Sequence, residues 1–281
     1  MLLRSLCFVL LALGARADDD TTAGPVFLKE PPNRVDFSNT TGAVVECSAR
    51  GNPPPDIIWV RADGTAVGDV PGLRQVLANG NLVFPPFRAE DYRQEVHAQV
   101  YACLAKNTEG SIHSRDVNVR AVVNQYYEAE VVSEYVIRGN TAVLKCNIPS
   151  FVSDFVRVEA WVGSDGTTYN FNSNYDSKYL VLPSGELHIK DVGPEDGYKS
   201  YQCRTKHRLT GETKLSATKG RLVITEPVGS VAPRLSAGTS KIQTTDSRRG
   251  FSLTLMCPAQ SFPVPSYRTG RFCKAKISFI G

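Results

Sequence analysis

Cysteine, tryptophan and tyrosine recur in this chain in one fixed order at closely matched cysteine spacing, and cysteine is the residue type whose placement suggests chemistry. Cys47 is followed by Trp59 and then by Tyr101-Ala102-Cys103, and Cys146 by Trp161 and then by Tyr201-Gln202-Cys203. The cysteine separations are 56 and 57 residues. The chemistry this offers is thiol oxidation, which ties distant segments together and needs an oxidising compartment. Other chemistries find no matching constellation. His97, His113, His188 and His207 are scattered, with no metal spacing and no H-E-x-x-H. There is no G-x-S-x-G and no glycine-rich phosphate loop, and Pro183-Ser184-Gly185-Glu186 reads as a turn. No catalytic residue, metal or cofactor is expected, and the chain is not read as an enzyme.

The elements that must position these residues are strands. A Cys…Trp…Tyr-x-Cys module of this span is how an immunoglobulin sandwich looks in sequence: one cysteine from each sheet bridges the core, the tryptophan packs on the bridge, and the tyrosine ties a corner. The fold class is therefore all-β, with tandem immunoglobulin-like (I-set type) β-sandwiches, two complete and one incomplete. Disulfides Cys47–Cys103 and Cys146–Cys203 are expected, each stabilising its sandwich by about 4 kcal/mol in the chain-entropy model.

The N-terminus fits an exported protein. Arg4 gives a positive start, Leu6 to Leu13 is apolar, and Ala15-Arg16-Ala17 offers a cleavage site, so residues 1–17 read as a signal peptide. Asp18-Asp19-Asp20 would then open the mature chain as a solvated tail rather than a calcium site, and Cys7 would leave with the signal. No other segment has the apolar length of a membrane span, so an extracellular location is expected, secreted as given or on the cell surface as part of a longer receptor. Losing Arg4 and Arg16 takes the formal charge from +4 to +2, too little to argue for nucleic acid. Asn39-Thr40-Thr41 is the one N-glycosylation sequon and is expected on a surface loop.

The first sandwich is expected over 24–122. Its Cys47-to-Trp59 segment reads strand, proline-rich turn, strand, and its later corner is enlarged over Tyr92 to Ala98. The second is expected over 125–226, with an ordinary corner at Glu195-Asp196-Gly197. Glu226 to Pro233 is a breaker-rich linker. A third sandwich starts at 234: Phe251 to Cys257 reads as a strand, and Phe262-Pro263-Val264-Pro265 matches the turn of the first. The matching tryptophan would fall at 269, which is Thr, and Cys273 lacks the Tyr two positions earlier. Residues 234–281 are thus expected to be an incomplete, poorly ordered domain, from a truncated splice form or a sequence read past a coding boundary. Cys257 and Cys273 could pair, cross-link chains or stay free.

Three stretches carry a family resemblance: Gly24 to Pro31, Phe84 to Tyr92 and Tyr198 to His207. They resemble the N-terminal region of the Down syndrome cell adhesion molecule family in its invertebrate form, over about 24–268. The resemblance implies a neuronal and immune surface receptor, with alternatively spliced domains, that recognises identical isoforms homophilically. It places the pairing on the leading strand of the second sandwich, Glu130-Val131-Val132-Ser133-Glu134-Tyr135-Val136. An edge strand can pair with its own copy in antiparallel to close a two-fold dimer, and no Pro blocks this one. The alternative is an ordinary solvated edge. A second candidate is an anion-binding face at Arg204, Lys206, Lys214 and Arg221 for sulfated glycans or lipid headgroups. Competing functions are a soluble immune-recognition factor, opsonin or decoy, binding cell-surface or microbial ligands, and a non-functional truncated product.

Overall fold

The computed structural model describes residues 22–171, 174–235, 242–248, 250, 256–266 and 274–280. The proposed signal peptide and Cys273 lie outside these. The chain divides into two compact units between Asn124 and Gln125.

Unit 1 is built from β1 (Ala23–Lys29), β2 (Arg34–Ser38), β3 (Ala43–Val45), β4 (Ser48–Asn52), β5 (Asp56–Arg61), β6 (Gln75–Val76), β7 (Leu82–Phe84), β8 (Ala98–Asn107), β9 (Gly110–His113) and β10 (Val117–Val122), with the short helix α1 (Gln94–His97) before β8. One layer runs β2-β10-β8-β5, with β9 on β8, and the other is formed by β3-β7-β6 and by β1-β4. The alternation of β10, with Val117, Val119 and Ala121 inward, turns one face of that layer to the core. Between the layers lie Trp59, Tyr101, Leu82, Phe84 and the two cysteines, all essentially without solvent contact.

Unit 2 repeats the plan with β11 (Glu130–Val131), β12 (Glu134–Ile137), β13 (Ala142–Leu144), β14 (Cys146–Asn147), β15 (Val156–Gly163), β16 (Thr168–Asn170), β17 (Tyr179–Val181), β18 (Leu187–Ile189), β19 (Ser200–His207), β20 (Thr213–Leu215) and β21 (Gly220–Thr225), with helix α2 (Pro194–Gly197) before β19. Its layers are β12-β21-β19-β15-β16, with β20 on β19, and β13-β18-β17 with β11-β14. In both sandwiches the second strand joins the last in parallel, β2 with β10 and β12 with β21. The architecture is tandem immunoglobulin-like, and the fold expectation holds.

Each tryptophan is fastened by one glycine. Trp59 Nε1 donates to Gly80 O at 2.8 Å and Trp161 Nε1 to Gly185 O at 2.9 Å. Both glycines have positive φ, +88° and +92°, and a Cβ on either would stand 2.9 Å from the Ile57 or Val158 side chain. Only glycine combines that backbone with that proximity.

The third region departs from expectation. β22 (Val231–Leu235) pairs antiparallel with β24 (Ala259–Phe262), and β23 (Ile242–Arg248) pairs in parallel with β25 (Lys274–Ile280). A strand over 274–280 was not expected. Its signal is the alternation of Lys274, Lys276 and Ser278 with Ala275, Ile277 and Phe279, in a segment that holds no tryptophan and no Tyr-x-Cys. The turns after Cys47 and Cys257 do match: Asn52–Pro53 and Phe262–Pro263 are both cis. Cys257 is disulfide-bonded, which removes the free-thiol alternative.

Candidate functional site: the edge strand of the second sandwich

Disulfides Cys47–Cys103 and Cys146–Cys203 span the cores, with Cα–Cα distances of 6.5 and 5.9 Å. Trp59 and Trp161 pack in the cores they bridge. These residues hold the sandwiches and present nothing to a ligand. Tyr101 and Tyr201 close the corners: Tyr101 Oη donates to Val96 O at 2.9 Å, and Tyr201 Oη to Asp196 O at 3.3 Å. The enlarged corner of unit 1 is filled by α1, with His97 buried and stacked on Phe87, ring centroids 3.9 Å apart.

The segment Glu130 to Val136 is not one strand but two. β11 pairs only with β14, in the register Glu130↔Asn147, while β12 pairs with β21, in the register Glu134↔Leu222. Val132 and Ser133 carry the chain from one layer to the other. Thr218 pins the crossing, its hydroxyl donating to Val131 O at 2.9 Å and accepting from Val131 N at 2.8 Å. Ser133 Oγ accepts from Arg221 N at 3.1 Å. β12 ends its sheet, so among the described residues no further strand continues the ladder beyond it. Val132 is 64 % exposed and Tyr135 72 %, whereas Val131 and Val136 are buried. Glu134 is half-buried, and burial pushes its carboxyl above the ordinary range while Lys145 opposes this.

The basic candidates are not one patch. Arg204 and Lys206 share the outward face of β19, but both reach Glu159, at 3.0 and 3.5 Å. Lys214 registers with buried Thr205 and so lies on the opposite face. Its Nζ stands about 5 Å from the ring centres of Tyr126 and Tyr127 and 3.3 Å from Glu212. Arg221 faces outward but registers with Ser200, two pleats along from Arg204. Strand alternation sets Lys214 on the other face, and register sets Arg221 apart along the sheet. Among the described residues no group of three or more His, Cys, Asp or Glu side chains could hold a metal ion.

The sequon asparagine lies at a largely buried position and not on an open loop. Asn39 is only 8 % exposed; its Nδ2 donates to Phe87 O at 3.0 Å, and its Oδ1 accepts from Asn124 N at 2.7 Å. The nitrogen that would carry a glycan is inside the fold and engaged.

No protein-family model matches the chain. It is 67 % identical over 260 residues to cell adhesion molecule Dscam1 of Drosophila melanogaster, a match covering 92 % of this chain and 13 % of that protein. The crystal structure of the N-terminal four Ig domains of Dscam1 isoform 7.44 superposes with a TM-score of 0.78 at 70 % identity, covering 89 % of this chain and 65 % of that one. A structure described as the structural basis for Dscam isoform specificity superposes with a TM-score of 0.71 at 67 % identity, over the same shares. The chain thus spans about 13 % of the length of the curated relative. With two sandwiches of this plan and this identity along nearly all its length, the chain belongs to the Dscam family of cell adhesion molecules.

Proposed function

We propose that this chain acts as an N-terminal recognition region of an extracellular adhesion molecule and binds an identical copy through the open edge of β12. The observation that carries this is a terminal strand whose Tyr135 is 72 % exposed. Arg138 N donates to Thr225 O across the β12–β21 ladder, so Ile137 and, two residues earlier, Tyr135 turn their backbone groups away from β21. A second β12 running antiparallel can bond to those groups about a two-fold axis. The reading is supported by the relatives' being named cell adhesion molecules and by a structural neighbour's concern with isoform specificity. Specific complexes bury roughly 1,200 Å² or more. A four-residue strand supplies part of that, so self-association of this chain alone is weak.

Sedimentation of the mature chain at several concentrations tests the proposal. Reversible dimers are expected, and Tyr135→Pro, which removes an outward N–H and leaves the β21 ladder intact, abolishes them without lowering the melting temperature by more than a few degrees. A monomer at every concentration, in both proteins, sinks the reading for this chain.

A further inference from the structure

The open edge of β12 does not stay open to its end. The outward amide of Ile137 donates to Gln260 Oε1 at 2.8 Å, and Gln260 Nε2 donates to Thr141 O at 2.8 Å. The reverse contact is made by Asn140, whose Nδ2 donates to Ser261 O at 2.9 Å and whose Oδ1 accepts from Ser261 N at 3.0 Å. Asn140, Gln260 and Ser261 are 2, 4 and 2 % exposed. Each carboxamide therefore completes the backbone of the other's segment. A neutral planar group with one acceptor and a donor side by side can match the N–H and C=O of a peptide, and only Asn and Gln carry it. Buried polar groups of this kind are costly when unpaired, so neither half is dispensable once the other is in place.

We infer that Asn140 and Gln260 form an amide clasp that seats Ala259–Phe262 on the end of β12 and closes that end of the strand to pairing by another chain. An incoming strand finds Tyr135 available and Ile137 already occupied, so the clasp limits how far a ladder can extend. The seating stands on the hydrogen bonds alone; the closing rests on the edge-strand reading of the previous subsection.

Amide hydrogen exchange on the full chain tests both. In Gln260→Met, which keeps the volume and loses both bonds, exchange at Ile137 rises about tenfold, the equivalent of one lost hydrogen bond. In Asn140→Leu the same rise appears at Ser261. Amides of Cys203 and Thr205 in the core strand report whether the fold survives; where they also speed up, Gln260→Asn, which keeps the amide but shortens its reach, serves in place of the first variant. Ile137 or Ser261 exchanging as fast in the parent as in the variant overturns the clasp. In a chain that dimerises, Gln260→Met tightens the dimer several-fold by freeing a ladder position, and an unchanged constant overturns the closing. Monomers throughout, with Ile137 deprotected in the variant, leave the seating standing and count against both the closing and the edge-strand reading.

Discussion

The two sandwiches share one plan and close it differently, most visibly at the corner before the strand that carries the second cysteine. In unit 2 the corner is short. Asp196 is buried at the start of that turn, takes a hydrogen bond from Gly193 N at 2.9 Å, pairs with Lys178 at 2.9 Å, and is also bonded by the Tyr179 hydroxyl. In unit 1 the corner is longer and no buried carboxylate stands there. Arg74 comes in instead: it is buried, donates from Nη1 to Tyr101 Oη at 2.9 Å, and grips Gly68 O at 2.8 Å. One corner is held by a charged pair and the other by a cation on a phenol, with a neutral imidazole beside it. The same fold thus tolerates different electrostatics at its two corners, and in unit 1 it leaves the buried His97 Nε2 without a hydrogen-bond partner among the described residues.

Several changes would break or sharpen that comparison. The largest effect is common to both units: replacing Cys47 and Cys103, or Cys146 and Cys203, by alanine costs the affected sandwich about 4 kcal/mol in denaturant unfolding. Equal losses would show that the corners contribute little to how each sandwich depends on its bridge. Gly80→Ala and Gly185→Ala force a left-handed side chain beneath a tryptophan and cost about 2 kcal/mol each; a cost in one unit alone would separate the two turns. Tyr101→Phe leaves buried Arg74 short of a partner and costs about 2 kcal/mol, against about 1 kcal/mol for Tyr201→Phe, which loses one long bond. Equal costs would mean that Arg74 finds water.

Acid separates the corners by range, with the same sign in both. Burial, with help from Arg74 and Arg93 and against Glu95, holds His97 below its ordinary 6.5. The unfolded chain therefore takes up a proton first, and unit 1 loses stability as pH falls below about 6.5 toward the folded value. For Asp196 burial works upward, but the bonds from Tyr179, Gly193 and Lys178 outweigh it and the carboxyl lies below its ordinary 3.8. That contribution is present above 3.8 and is lost as pH falls through the folded value. His207 is held down in the same direction as His97, by burial against Glu212, so unit 2 also responds below 6.5. NMR titration resolves them: His97→Gln should flatten the response of unit 1 just below pH 6.5 and leave that of unit 2 unchanged. The smallest effect is on mass. Treating the secreted chain with a glycan-cleaving amidase should leave its electrophoretic mobility unaltered, because Asn39 Nδ2 is engaged; a shift would mean that the loop opens.

Much of the plan was legible in the residues, and the reason is covalent and periodic. A disulfide, a tryptophan on it and a tyrosine beside it leave fixed spacings, and alternating strands repeat every two residues. What escaped was of another kind. The crossing at Val132 and Ser133 is set by Thr218, far along the chain. The splitting of the basic candidates follows from registers between β19, β20 and β21, and β25 lacked the landmark residues that identified the other strands.

Asn39 and Asn140 show the division most plainly. Both sit in the turn after the strand that pairs in parallel with the last strand of the sandwich, and both precede a threonine. From the residues alone, the first reads as a glycan acceptor and the second as nothing in particular. In the fold both point inward and bond to backbone from distant segments, Asn39 to Phe87 and Asn124 and Asn140 to Ser261. The sequence by itself determined two bridged all-β sandwiches, their family and the segment that leads the second. Only the tertiary structure decided which carboxamides are buried, which charges share a face and where the edge of β12 stops. Those outcomes depend on the partners that packing brings within hydrogen-bond reach, and such partners lie up to about 120 residues apart, at no fixed spacing.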